Sequence, residues 1–87
     1  MNRVVKGRAM EILSKRLKEL RESRRIYQRE MAEYLGLSFR GYQNYETGQC
    51  EPKLGILAAI ADYYGVSTDY LLGRTDVPDF PAGGTEN

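Results

Sequence analysis

The first third of the chain carries a regular apolar pattern. Apolar residues recur there at intervals of three and four positions, as Met10, Leu13, Leu17 and Leu20. This spacing places side chains on one face of an α-helix and predicts a first helix over residues 8–23. Ile26 follows a short turn formed by Arg24 and Arg25, and we expect its side chain to pack into the core just before the second helix.

A second and a third helix are predicted on either side of a glycine turn. Residues 28–35 carry an apolar face formed by Met31, Ala32 and Leu35. Gly36 follows the last turn of this helix, where a left-handed residue is needed. Ser38 can then cap a helix over residues 39–46 by accepting a hydrogen bond from a free backbone N–H. Two helices joined in this way form a helix-turn-helix unit, whose second helix can enter a DNA major groove.

The third helix divides into two faces. At about 100° per residue, one arc carries Phe39, Arg40, Gln43 and Asn44, and the opposite arc carries Gly41, Tyr42, Tyr45 and Glu46. The tyrosines can bury against the second helix. On the first arc, arginine can pair with guanine, and asparagine or glutamine with adenine. We therefore predict that the first arc contacts DNA bases.

The fourth helix is predicted over residues 53–64. Gly48 ends the third helix, and Pro52 suits the first turn of the fourth. The predicted inward positions of the fourth helix are Leu54, Leu57, Ala58, Ala61 and Tyr64.

The last predicted helix is short and strongly apolar. Ser67 can cap it and Gly73 can end it. Its apolar residues are Tyr70, Leu71 and Leu72. They either form a dimer surface or close the bundle, and the sequence leaves both interpretations open. Beyond them, prolines and glycines with few large apolar residues indicate a disordered tail over residues 74–87.

Length and composition restrict the function classes. The chain has 87 residues, enough for one small domain, here an all-α bundle of five helices over residues 9–73 behind a flexible basic arm over residues 1–8. The single cysteine, Cys50, and the lack of histidine exclude an internal disulfide, a Cys/His metal site and histidine-based catalysis. We expect no enzymatic activity, no cofactor and no metal. Neither an apolar run of about 18 residues nor a secretory signal occurs, so we expect a cytoplasmic protein without membrane association.

Charge is unevenly distributed along the chain. The net charge is only +1, but residues 1–30 hold ten of the 13 basic groups and four of the 12 acidic groups. This asymmetry is compatible with a basic face on a nearly neutral molecule. It is also compatible with an ordinary solvated helix, which is the commoner case when charge alone is considered.

A series of short motifs between Leu17 and Gly73 resembles the phage-repressor-like (Xre, or Cro/repressor-type) DNA-binding domain. The motifs stand in family order: residues 17–21 (LKELR), Gln28 with Ala32, residues 35–38 (LGLS), residues 45–48 (YETG), Glu51-Pro52, residues 57–61 and residues 69–73 (DYLLG). Each motif is weak alone, whereas the ordered set is specific. The resemblance implies a five-helix bundle in which helices 2 and 3 read DNA. Phage repressors are themselves the standard example of this docking geometry.

The resemblance also implies roles for single residues. Phe39, Arg40 and Asn44 match base-reading positions, with Gln43 close by, and Arg21 with Glu46 matches a charged pair that joins helices 1 and 3. The implied contacts to DNA phosphates are Gln28, Ser38, Thr47 and Lys53. Gln28 would also support a recognition side chain.

Some positions depart from the family pattern. Phe39 replaces a polar reader, and could contact either a thymine methyl group or a sugar. Gly41 weakens the recognition helix, and Glu51 places a negative charge near the expected phosphate path.

The leading hypothesis is a sequence-specific transcriptional regulator, a repressor that binds double-stranded DNA as a homodimer on an inverted repeat. The alternative keeps the fold but makes it a protein-interaction module, for example an antitoxin with a toxin or another regulator as its partner. Cys50 could sense oxidation, although an ordinary loop residue is the simpler interpretation.

Overall fold

A computed structural model describes residues 6–78. Within that range the chain forms five α-helices and no strand: α1 (Lys6–Ser23), α2 (Gln28–Leu35), α3 (Phe39–Glu46), α4 (Leu54–Tyr64) and α5 (Thr68–Leu71). The predicted all-α architecture is confirmed. None of the helices in this range combines the length and apolar character that a bilayer span requires.

The core forms around α1. Leu13 and Leu17 are fully buried, while Met10 and Leu20 lie at the margin of the core, as the apolar spacing predicts. The helix begins at Lys6, two residues before the predicted start, so residues 6–8 of the predicted arm are helical. One glycine near a helix end costs only about 1 kcal/mol, so Gly7 does not stop the helix. The rest of the predicted arm, residues 1–5, lies outside the described residues.

The turn between α2 and α3 has the predicted chemistry. Gly36 adopts the left-handed conformation with φ 71°, and the Leu37 N–H donates to the Ala32 carbonyl at 2.8 Å. The Ser38 hydroxyl caps α3 by accepting from the Gly41 N–H at 3.0 Å. Helix α2 begins at Gln28 without a side-chain cap from Tyr27, whose own N–H donates to Glu30 Oε1 at 2.8 Å. These bonds satisfy free backbone groups at the helix ends and set the angle between the two helices.

Helix α4 buries only part of the predicted stripe. Leu54 is 84% exposed and Ala58 is also exposed, whereas Ile60 is fully buried. The predicted burial of Ala61 and Tyr64 is confirmed, and Leu57, also predicted to face inward, is partly buried against the core. The inward positions predicted for Leu54 and Ala58 were wrong. Because nearly every position of this helix is apolar, periodicity alone cannot decide which residues face the core. Packing against the other helices determines which of them are buried.

Helix α5 closes the bundle. Ser67 caps it, as predicted, by accepting from the Tyr70 N–H at 2.9 Å. Leu71 is fully buried, and Tyr70 is half-buried beneath the Arg16 guanidinium, 4.0 Å from its ring centroid. Of the two interpretations left open for this segment, these contacts favour bundle closure for Tyr70 and Leu71.

Residues 74–78 fold back along the domain, contrary to the prediction of a disordered tail beginning at Arg74. Arg16 donates to the Tyr70 carbonyl and, at 2.9 Å, to the Thr75 carbonyl, and its guanidinium lies 3.0 Å from Asp76. The Ser67 N–H donates to the Pro78 carbonyl at 2.9 Å. The local sequence could not predict these hydrogen bonds, because their partners are residues distant in the chain. Residues 79–87 of the predicted tail lie outside the described residues.

Candidate nucleic-acid interface

Helix α3 separates a buried face from an open one. Tyr42 is fully buried and Tyr45 is 9% exposed. Phe39 and Arg40 are exposed, and Gln43 and Asn44 are partly exposed. The predicted division of the helix into two faces is confirmed. An exposed row of polar side chains on a helix that is anchored from behind has the shape needed to enter a major groove.

An open depression lies beside this face. Its lining residues are Gln28, Arg40, Gln43, Asn44, Thr47 and Gln49. It therefore brings together three of the four residues predicted to contact bases and two of the four predicted to contact phosphates. Gln49 was not predicted, because it sits in an irregular loop where no periodicity assigns it to a face.

Phe39 lies beside an arginine of α2. The Arg29 guanidinium is 5.1 Å from the Phe39 ring centroid, within range of a cation–π interaction. This contact places a positive charge next to the first residue of α3. This contact was not predicted, since nothing local in the sequence links Arg29 to Phe39.

A buried carboxylate joins the helices behind the open face. The Glu46 side chain is 3% exposed, and its Oε2 lies 2.6 Å from Arg21 Nε, while Oε1 accepts from Arg21 Nη2 at 3.1 Å. The Tyr42 hydroxyl and the Gln28 Nε2 donate to the same carboxylate at 2.5 and 3.0 Å. The predicted Arg21–Glu46 pair is thus present within a larger network. Arg21 also donates to the Ile26 carbonyl at 2.8 Å.

This network determines the charge state of Glu46. Burial alone raises the pKa of a carboxyl group, but the hydrogen bonds from Arg21, Tyr42 and Gln28 favour the anion, and together they hold the Glu46 pKa below its ordinary value. Burial, followed by the hydrogen bond to Glu46, raises the pKa of the Tyr42 hydroxyl. Glu46 is therefore an anion that only accepts hydrogen bonds, and Tyr42 is a neutral donor.

Gln28 connects this network to the open face. While its Nε2 donates to Glu46, its Oε1 accepts from Gln43 Nε2 at 3.3 Å. The contact agrees with the implied supporting role of Gln28 behind a recognition side chain, here Gln43.

The remaining predicted phosphate contacts differ in what they can donate. Ser38 is exposed, and its hydroxyl accepts within the cap, so its hydrogen is free to point outward. The Thr47 hydroxyl donates to the Gln43 carbonyl at 3.1 Å, so it must rotate before it can donate to a phosphate. Lys53 is exposed at the start of α4, in the same loop as the exposed Glu51.

Comparison with known proteins agrees with the geometry. The family model described as helix-turn-helix matches residues 17–71. The prophage-derived HTH-type transcriptional regulator YonR of Bacillus subtilis is 42% identical over 64 residues, which cover 74% of this chain and 59% of that protein. The HTH-type transcriptional regulator ImmR of the same organism is 42% identical over 65 residues, covering 75% and 51%.

A more distant relative comes from another bacterium. The cryptic phage CTXphi transcriptional repressor RstR of Vibrio cholerae is 36% identical over 62 residues, covering 71% of this chain and 55% of that protein. The chain thus spans little more than half the length of these relatives. No solved structure matches it significantly. On the matched residues and on the geometry of α2 and α3, the chain belongs to the helix-turn-helix family of the phage-repressor-like type.

Proposed function

We propose that this protein is a sequence-specific DNA-binding transcriptional regulator, and that it acts as a repressor. The observation that carries the proposal is the open face of α3, where Arg40, Gln43 and Asn44 project beside a depression while the tyrosines behind them are buried. Relatives that are named transcriptional regulators and a repressor support the same assignment.

Each side chain of the open face has a role that suits its chemistry. Arg40 is assigned to a guanine and Asn44 to an adenine, because their donors and acceptors match those base edges in the major groove. Phe39 contacts a thymine methyl group or a sugar. Proposed phosphate contacts come from Gln28, Ser38, Thr47 and Lys53, to which the exposed Arg29 beside Phe39 is added.

The proposed binding unit is a homodimer on an inverted repeat. Proteins with this docking geometry place two recognition helices about 34 Å apart, one turn of DNA, so that each reads one half-site. A regulator that works in this way would act where chromosomal DNA lies, in agreement with the expected cytoplasmic location.

Selection of bound sequences from random double-stranded DNA tests the proposal. We expect one recovered motif with two-fold symmetry and half-sites about 10 base pairs apart. We also expect the affinity to fall steeply with salt, because phosphate contacts release counterions. A protein that recovers no motif and does not bind DNA even at low salt would instead be a protein-interaction module, and a toxin or another regulator would then be its expected partner.

A further inference from the structure

The orientation of the Gln43 amide can be deduced from the groups behind it. A glutamine amide has a donor end, Nε2, and an acceptor end, Oε1, and the two ends are told apart only through their hydrogen-bond partners. For Gln43 that partner is Gln28, whose own partner is Glu46. The orientation of the Gln43 amide therefore depends on Glu46, a group that can only accept hydrogen bonds.

The Glu46 carboxylate acts only as a hydrogen-bond acceptor. Its carboxylate is 3% exposed and is paired with Arg21 through both oxygens. A carboxylate held in this way carries no proton to donate, so a neighbouring amide can face it only with its N–H groups. The 3.0 Å contact between Gln28 and Glu46 Oε1 is therefore made by Gln28 Nε2.

The same reasoning extends to Gln43. With Nε2 of Gln28 turned toward Glu46, the acceptor Oε1 of Gln28 is left facing Gln43, and it accepts from Gln43 Nε2 at 3.3 Å. An inverted Gln43 amide would set two acceptor oxygens against each other. The Gln43 Oε1 accepts no hydrogen bond from any residue between 6 and 78, and Gln43 lines the open depression.

We propose that Glu46, acting through Gln28, positions Gln43 so that it presents a carbonyl oxygen to the DNA and reads a base that offers a donor, with adenine as the preferred base. This inference rests on the proposed DNA-binding function. Adenine offers an N6 donor for Oε1 and an N7 acceptor for the second hydrogen of Nε2, so both ends of the amide are satisfied. Guanine offers only acceptors at its major-groove edge and leaves Oε1 without a partner. Toward this base, Glu46 and Gln28 are positioning residues and Gln43 is the contact residue. The phosphate contact proposed for Gln28 bears on affinity for every sequence and not on base preference.

The substitution Gln28→Met tests this relay. It removes the polar connection at nearly constant side-chain length, and it leaves the Arg21–Glu46 pair and Gln43 in place. A bidentate contact contributes about 1–3 kcal/mol of discrimination between bases, so the wild-type protein should prefer adenine over guanine at the Gln43 position by about tenfold or more. In Gln28→Met we expect that ratio to fall to about threefold or less, with the preferences assigned to Arg40 and Asn44 retained.

Two controls separate positioning from general damage. Glu33→Gln, at an exposed position of α2 outside the depression, should leave the adenine preference unchanged. In a Gln43→Ala background, Gln28→Met should cause no further change in base preference, because the contact that it orients is already absent. Thermal unfolding of each variant verifies that it is folded.

A measurement on the free protein complements the binding data. The side-chain amide NMR signals of Gln43 should shift in Gln28→Met and stay in place in Glu33→Gln. If wild-type protein recovers no DNA motif, the proposed function and this inference both fail. If the wild-type protein recovers a motif whose base preferences Gln28→Met leaves intact, or if the Gln43 signals do not move, only the relay is overturned.

Discussion

At the scale of single residues, the site is organised by one buried anion. Glu46 receives four hydrogen bonds, two of them from Arg21 on α1, one from Gln28 on α2 and one from Tyr42 on its own helix. Removal of one partner of a buried ion pair typically costs about 3–5 kcal/mol, because the other charge stays desolvated. The network thus fixes the position of α3 relative to α1 and α2. It also orients the side-chain amides of Gln28 and Gln43.

The depressed pKa of Glu46 predicts acid sensitivity. An unfolded glutamate has a pKa of about 4.3, and the folded value is lower, so the unfolded state binds more protons as the pH falls between the two values. The stabilisation by Glu46 is therefore fully present above the unfolded pKa and is lost as the pH falls through the folded one. Urea unfolding across the pH range from about 7 to 3 measures this loss.

A matched pair of variants isolates the contribution of Glu46. Glu46→Gln should lower the free energy of unfolding at neutral pH and flatten its decline with acid, since it cannot titrate. Glu33→Gln, at an exposed position of α2, should keep the wild-type slope. Equal slopes for wild type and Glu46→Gln would contradict the assigned charge state.

At the scale of elements, the sequence predicted the helix ends more accurately than the packing of the helix interiors. The local signals at Gly36, Ser38 and Ser67 were correct because the capping chemistry acts within a few residues. Two positions of the α4 stripe, Leu54 and Ala58, were mispredicted because nearly all positions of this helix are apolar and only the packed core distinguishes them. Residues 74–78 were mispredicted for a related reason, since their anchor is Arg16 on α1.

Gly73, just beyond α5, should resist substitution. It has φ 82°, and an added Cβ would lie 2.5 Å from Ile12 Cδ1 on α1. We expect Gly73→Ala to destabilise the protein by more than about 1 kcal/mol, because left-handed strain alone costs about that much and the overlap with Ile12 adds to it.

Gly55→Ala is the matched control for this prediction. Gly55 lies inside α4, and an added Cβ meets no atom within 4 Å. That variant should be more stable than the wild type by up to about 1 kcal/mol, since alanine favours a helix over glycine. Thermal unfolding of the two variants measures both effects, and the same sign for both would contradict the account of Gly73.

At the scale of the whole molecule, a nearly neutral chain presents an open and largely polar face on α3. The sequence alone predicted the helix-turn-helix unit and both faces of α3, because local periodicity and caps determine them. It could not predict the hydrogen bonds that link Glu46 through Gln28 to Gln43, or the stacking of Arg29 on Phe39. These contacts join helices whose relative placement depends on the whole fold. The contacts from which base preference is proposed are therefore tertiary, whereas the class of fold is local.

The central claim is that the open face of α3 reads base sequence. Its most direct test is the affinity of Arg40→Ala, measured by fluorescence polarisation on the selected site and on random DNA at one salt concentration. We expect a loss of about 1–3 kcal/mol on the selected site with relaxed preference at one base pair, and a much smaller loss on random DNA. Equal losses of binding free energy on both DNAs would indicate that Arg40 contacts a phosphate and not a base, which would contradict the claim.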